Sequence, residues 1–377
     1  MSAETSPDGS PQTGDAGPPA TELDPEALKL FALKVWSYKM GEVVSLMIHL
    51  GDRLGLYRAM AGSGPLTGAD LADRTGLDAR LVEEWLLGQA AADLMTRHDD
   101  GRFELDAVSA ALLADESGSV DFAAGAFQGG TPPEVVDALA RSFDTGVGIT
   151  YEEQGAVATA GLARMNAPRT RQTLVTEVLP AVDGLTERLT AGTRVVEIGC
   201  GGGVALATIA AAFPNSTFIG IDPSPTAVEL ARQQARVDSL TNVSFIEGFA
   251  TDIDRATDDG PAGLVLAFDC LHDMPRPDRA LAAVRDVLAD DGILLVKEIR
   301  CTGDFDRDRR NPLLALLYGF SVTSCLQSAL SEADGLGLGT VGLHGDRLTD
   351  MATAAGFGSV TQHDLGEPNN LYYDVRP

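Results

Sequence analysis

The sequence is short of cysteine and short of positive charge, and each shortage removes a class of function. Its four cysteines, Cys200, Cys270, Cys301 and Cys325, include no Cys-x-x-Cys pair and have no histidine at metal-binding spacing. That pattern predicts free thiols in a reducing cytoplasm, with neither a disulfide nor a bound metal. Lys and Arg number 28 against 55 Asp and Glu, a formal net charge of −27. Such an excess of anions repels phosphate backbones and anionic lipid, which leaves a small molecule as the better partner. No apolar run reaches the length of a membrane span. The opening Met1-Ser2-Ala3-Glu4 lacks the basic and apolar regions of a secretion signal. Two nucleotide motifs are also missing. After the glycines at 199–203, the place where a dinucleotide fingerprint needs Gly or Ala holds Val204 or Leu206, depending on register, and no Lys-Ser/Thr pair follows.

What is present is organised around Arg194-Val195-Val196-Glu197-Ile198-Gly199-Cys200-Gly201-Gly202-Gly203. Val195, Val196 and Ile198 make a buried strand, the glycines allow a tight turn through positive φ, and residues 205–212 make a helix. A turn of this kind lets a ligand approach the backbone and the helix N-terminus. Residues 217–222 read as a second strand that ends in Asp222, an acid able to accept hydrogen bonds from two ribose hydroxyls. Further strands are expected at 243–247, 264–269 and 293–298, alternating with helices at 204–212, 224–237 and 278–289 and a shorter one before the fourth strand. Such alternation implies a parallel sheet with right-handed crossovers. A charged insertion (300–310), an apolar helix (312–330), a helix at 346–355 and two last strands at 359–365 and 371–375 complete the chain.

The acid, the spaced glycines and the second-strand acid resemble motif I of class I S-adenosylmethionine-dependent methyltransferases. The resemblance implies an α/β fold, a Rossmann-like seven-stranded methyltransferase sheet that ends in an antiparallel pair, with S-adenosylmethionine as cofactor. It implies cofactor contacts at Glu197, Gly199, Cys200 and Gly201, and at Asp222 and Pro223. Gly248, Phe249 and Ala250 would edge the adenine, with Phe249 either an apolar wall or a core residue and Asp252 the acid if the alignment slips. Phe268 and Asp269 end the fourth strand near the methyl donor. The following Leu271-His272-Asp273 resembles the His-Asp segment of plant-type O-methyltransferases. There the histidine takes the proton of a substrate hydroxyl and an acid on the next strand orients it, which here implies His272 as base and Glu298 as its partner. Glu332 is the nearest candidate for a second bracketing acid. A histidine that only shapes the loop is the plainer reading.

Residues 1–22, rich in Ser, Pro, Gly, Thr and Asp, are expected to be a disordered tail. Asp24-Pro25-Glu26 starts a helix whose Leu28, Phe31, Val35 and Trp36 share a face, continued after Gly41 by Val43, Val44, Met47 and Ile48. That face suits either a core or a contact between subunits. Helices at 50–60, from Leu66, and at 79–91, followed by a hairpin turning at Asp99-Asp100-Gly101, give a helical winged-helix-like domain over 23–115. Its would-be recognition helix carries Glu83 and Glu84 beside Arg80, and its wing carries Asp99, Asp100 and Glu104, so DNA is a poor partner. A similar module precedes the catalytic domain of many small-molecule O-methyltransferases and serves dimerisation, which implies a homodimer through this domain. Residues 116–190 read as a helical linker and active-site cover, with helices at 134–143 and 168–179. Tyr151, Met165 and Asn166, in the connection, are candidates for the substrate pocket, and 191–377 is the cofactor-binding domain. A winged-helix regulator that senses S-adenosylmethionine, or a binding protein with non-methyl chemistry, is the competing reading.

Overall fold

The computed structural model describes residues 23–377, so the expected tail at 1–22 lies outside the described residues. The described chain falls into two compact units, one ending at Val44 and the other running from Ser45 to Pro377. Helix α1 spans Pro25–Arg53 without a break at Gly41. In the first unit Leu28, Phe31, Val35 and Trp36 are exposed. The expected helix at 50–60 is corrected. Its first residues belong to α1, and Gly55, at φ 73°, separates them from α2 (Leu56–Met60).

The second unit opens with the winged module. Thr67 caps α3 (Gly68–Thr75) in a reciprocal box with Asp70, and Asp78 caps α4 (Ala79–Ala91). Strands β1 (Thr96–Arg97) and β2 (Phe103–Glu104) form the wing, turned by Gly101 at φ 83°. Helix α5 (Ala107–Leu113), capped by Asp106, closes it. The module has its own core, where Tyr57 meets Trp85 edge to face at 5.1 Å and the Trp85 indole donates to the Met47 carbonyl.

The connecting segment differs most from expectation. After α6 (Pro133–Thr145) and the short α7 (Tyr151–Gln154), α8 runs from Ala156 to Thr173 and loosens into wider turns over Leu174–Val178. A proline in a sequence argues for a helix start, yet Pro168 lies inside α8 and is buried. The helix keeps its course through the buried proline although Pro168 donates no amide hydrogen. Met165 and Asn166 are therefore helical residues, half-buried and exposed respectively, and not part of an irregular connection.

Beyond α9 (Leu185–Ala191) the chain alternates: β3 (Arg194–Ile198), α10 (Val204–Ala212), β4 (Thr217–Asp222), α11 (Pro225–Val237), β5 (Val243–Glu247), β6 (Ala262–Phe268), α12 (Pro277–Val287) and β7 (Leu288–Ile299). Next come α13 (Phe305–Asp308), α14 (Leu314–Phe320), α15 (Leu326–Ala329), α16 (Gly345–Ala354), β8 (Ser359–His363) and β9 (Asn370–Arg376). The sheet has seven strands in the order β5-β4-β3-β6-β7-β9-β8, parallel through β7 and antiparallel at β9 and β8.

Side chains alternate between the two faces of the sheet as the strand period requires. Val195, Leu264, Leu266 and Leu295 meet α9, α10 and α11 on one face, while Val196, Val265, Ala267 and Val296 meet α12 and α16 on the other. All five parallel strands end at the same edge, so the sequence-adjacent residues Gly199, Asp222, Gly248, Asp269 and Glu298 share it. The strand order reverses beside β3, where open α/β sheets form their ligand crevice. No helix among the described residues is long and apolar enough to cross a membrane.

Candidate active site

The first half of the site is the turn after β3. Gly199, Gly201 and Gly203 hold φ of 63°, 50° and 72°. A Cβ on Gly199 would stand 2.7 Å from that of Cys270, and one on Gly203 would strike Ala231 and Phe245. At Gly201 a Cβ would meet nothing within 4 Å, so the backbone there faces open space. The Asp222 carboxylate ties the turn down, accepting from the Gly201 amide at 2.8 Å and the Ser224 amide at 2.9 Å. Burial pushes its pKa up and those two amides oppose the rise. Each oxygen keeps a lone pair for a further donor. Glu197 is fully enclosed, and burial, followed by the charge of Asp222, pushes its carboxyl up to about 8. Its Oε2 has no hydrogen-bond partner.

An open glycine backbone, an orphaned buried carboxylate oxygen and an acid with spare lone pairs fit a ligand with amino and ribose groups. Of the other expected contacts, Cys200 is buried behind the turn with its amide on the Ile221 carbonyl, and Pro223 is exposed next to Asp222. The Gly248 amide donates to the Asp222 carbonyl, and Phe249 is 58% exposed, which excludes the core reading. Ala250 is half-buried. Asp252 is engaged by the Phe249 amide at 2.8 Å. Phe268 turns edge-on to Tyr372 at 6.2 Å.

The second half lies beyond β6. Asp269 adopts φ 52°, a strained value for a residue with a side chain. Its amide donates to the Lys297 carbonyl, and its carboxylate accepts from the Lys297 ammonium at 2.5 Å and the Asn370 amide at 2.7 Å. This clamp aims the single helical turn Leu271–Asp273 inward. The His272 ring donates from Nδ1 to Glu298 Oε2 at 2.5 Å, and its backbone amide donates to Oε1 at 3.3 Å. Both residues are almost fully buried. His272 Nε2 lies 3.0 Å from Asp273 Oδ1, yet that oxygen makes no hydrogen bond. The acid on the second side of the ring is thus Asp273, whereas Glu332 is exposed. Burial opposes a charge on the ring, but the carboxylates of Asp273 and Glu298 outweigh it and hold its pKa well above the usual 6.5.

Of the pocket candidates, Tyr151 reaches this cluster, its hydroxyl donating to Asp273 Oδ2 at 2.6 Å. Met165 and Asn166 lie on α8, whose Ala163 packs against Gly202, and neither contacts His272 by hydrogen bond. Three residues escaped the sequence reading. Asp273 was visible in the motif without a role. Glu152 accepts from the hydroxyls of Ser224, at 2.5 Å, and Thr226, at 2.8 Å, beside Asp222. Cys325 arrives from the helical run after α14 and groups with His272 and Asp273, their ligand atoms within 4.8 Å of one another. No local spacing announces it.

Known proteins resemble the chain in sequence and in fold. Residues 189–331 match the family model described as a methyltransferase domain. Residues 189–331 thus carry a methyltransferase domain. Residues 42–114, ahead of the methyltransferase domain, match the Rv2258c-like winged HTH domain. A fatty-acid O-methyltransferase of Mycolicibacterium smegmatis is 30% identical over 109 residues, 29% of this chain and 38% of that one. The chain thus spans well under two thirds of the curated relatives it matches, and only 1% of the cyclosporin synthetase of Tolypocladium inflatum. A putative O-methyltransferase from Nostoc punctiforme superposes with a TM-score of 0.68 at 19% identity, over 94% of this chain and 99% of that one. Human N-acetylserotonin methyltransferase, solved with SAM, gives 0.64 at 20%, over 94% and 99%. These structural likenesses show that the winged module and methyltransferase domain share one fold with them.

The flanking acids generate a titration prediction. The His272 ring proton, followed by NMR, leaves at a midpoint above 6.5, and Asp273→Asn moves that midpoint down. A midpoint at or below 6.5 in the parent protein contradicts the charge balance described.

Proposed function

We propose that the protein is an S-adenosylmethionine-dependent methyltransferase that methylates an oxygen of a small-molecule acceptor. The observation that carries the reading is the buried His272, oriented by Glu298 at the edge where the glycine turn opens. The glycine turn, Asp222 with Pro223, and the segment Gly248-Phe249-Ala250 hold the cofactor. Phe268 and Asp269 border it. When bound, S-adenosylmethionine supplies an electrophilic methyl group on its sulfonium.

The chain's own task is to hold an acceptor hydroxyl in line and to take its proton. Positioning supplies most of the rate in such a displacement. Glu298 fixes the Nδ1–H tautomer, which leaves Nε2 to receive the proton, and stabilises the ring once charged, as the acid of a catalytic triad does. The raised pKa sets the pH sense. The base acts as the neutral ring, so turnover climbs with pH through a midpoint above 6.5. Tyr151 anchors the cover through Asp273, while Met165 and Asn166 line the acceptor side.

A homodimer through the N-terminal domain accounts for the exposed Leu28, Phe31, Val35 and Trp36. The wing and its helix favour no phosphate backbone, since Arg80 and Arg102 are already matched by Glu84 and Asp100. The regulator reading rests on the winged module alone.

Paired variants separate the two halves of the site. His272→Ala lowers kcat by about 10²–10⁴ and leaves cofactor affinity intact, and Glu298→Gln lowers it less. Asp222→Ala costs about 1.5–3 kcal/mol of cofactor affinity in calorimetry, roughly ten- to a hundredfold. Near-parental turnover in His272→Ala removes the base and leaves catalysis by positioning alone.

Two further measurements address assembly. Deleting residues 1–50 shifts sedimentation from dimer to monomer, and an unchanged sedimentation coefficient places the interface elsewhere. Fluorescence polarisation with random duplex at low salt reads no binding at micromolar protein. Tight, salt-sensitive binding revives the regulator.

A further inference from the structure

The geometry points to a site for a soft divalent cation, zinc by its chemistry, held by His272 Nε2, Asp273 Oδ1 and Cys325 Sγ. The three residues come from two segments far apart in the chain, and their ligand atoms lie within 4.8 Å of one another. An imidazole nitrogen, a carboxylate oxygen and a thiolate are the donor types that zinc takes, with three protein ligands and one open position in sites that also admit a small molecule.

Two independent details separate this cluster from a chance meeting of polar groups. First, Asp273 Oδ1 is buried and makes no hydrogen bond, although His272 Nε2 stands 3.0 Å away. The two atoms are side by side as ligands of one ion are, and not aligned as donor and acceptor. Second, the outer contacts are those that metal ligands keep. Glu298 accepts the Nδ1–H at 2.5 Å, which frees Nε2 as a ligand, and Tyr151 donates to the other oxygen of Asp273 at 2.6 Å. A carboxylate behind a ligating histidine and a donor behind a ligating carboxylate fix orientation and raise basicity. The Tyr151 hydroxyl also lies 3.9 Å from Cys325 Sγ.

On binding, the His272 ring releases its Nε2 proton to solvent and gives the freed lone pair to the ion, and Asp273 Oδ1 gives one of its own. The Cys325 S–H bond breaks, its proton leaves to solvent, and the sulfur keeps the electron pair for the new bond. No oxidant or reductant takes part. The consequence for turnover rests on the proposed role of His272: an ion on Nε2 occupies the lone pair that the acceptor's proton needs, so the cation inhibits.

Cobalt(II) serves as the spectroscopic probe on the full chain stripped of metal by a chelator. One equivalent binds at micromolar concentration, with tetrahedral visible bands and a thiolate-to-cobalt charge-transfer band, and zinc displaces it. Cys325→Ser and Cys325→Ala both lose the charge-transfer band, and Glu298→Gln binds about 10–100-fold more weakly. Circular dichroism confirms that each variant is folded. Absence of one-to-one binding in the parent overturns the site, as does a charge-transfer band that persists in both Cys325 variants. The spectra do not depend on turnover, so the two readings fail separately. Cation bound at Cys325 without inhibition keeps the site and removes His272 as base. An inactive His272→Ala with no cation binding in the parent keeps the base and overturns the site.

Discussion

A charged ring cannot be buried alone, and the second half of this molecule is arranged around that constraint. His272 is enclosed at the end of the sheet, where removal from water disfavours its charged form. Glu298 on one side and Asp273 on the other reverse the balance. Neither acid could stand there without the strands that carry it. Glu298 ends β7, which is pinned between β6 and β9, and Asp273 ends the turn that the strained Asp269 directs. The ion pair between Lys297 and Asp269 is therefore more than a surface ornament. It holds a left-handed residue in place at a cost of order 1–3 kcal/mol that nearby packing must offset.

The glycine turn answers to the opposite constraint. It needs an absence of side chains, and neighbours or backbone angle close three of its glycines to substitution. Gly199 is closed off by Cys270, Gly203 by Ala231 and Phe245, and Gly201 by its φ alone, since its surroundings are empty. That emptiness is what a ligand requires. Asp222 couples the turn to the neighbouring strand, so the crevice is built from backbone geometry and one carboxylate.

Much of this was legible in the sequence because it is local. Strand runs that end in Glu197-x-Gly-x-Gly, in Asp222 and in Asp269 give period, turn and chemistry within a few residues, and the winged module announces itself through the helix starts after Leu66 and at Ala79 and through the Asp-Gly turn. Glu298 was matched to His272 through the resemblance to plant-type O-methyltransferases, the histidine following β6 and the acid lying at the end of β7. What escaped was decided by contacts between distant segments. Pro168 reads as a helix start, yet burial keeps it inside α8. Glu332, the nearest sequence candidate for a second acid, is exposed, while the acid beside the ring is the residue next to His272. Cys325 has no signature at all, since only the looser turns after α14 bring it to the ring.

One contact has a geometric consequence of its own. Tyr151 and Glu152 are consecutive residues, and consecutive Cα atoms stand about 3.8 Å apart. The first holds Asp273 in the histidine turn, and the second holds Ser224 beside the acid of β4. Two loops from different strands are thus gripped by one peptide unit, which does not stretch. The short helix acts as a caliper set across the crevice, its two jaws the adjacent side chains of Tyr151 and Glu152, whose reach sets the span between the lips.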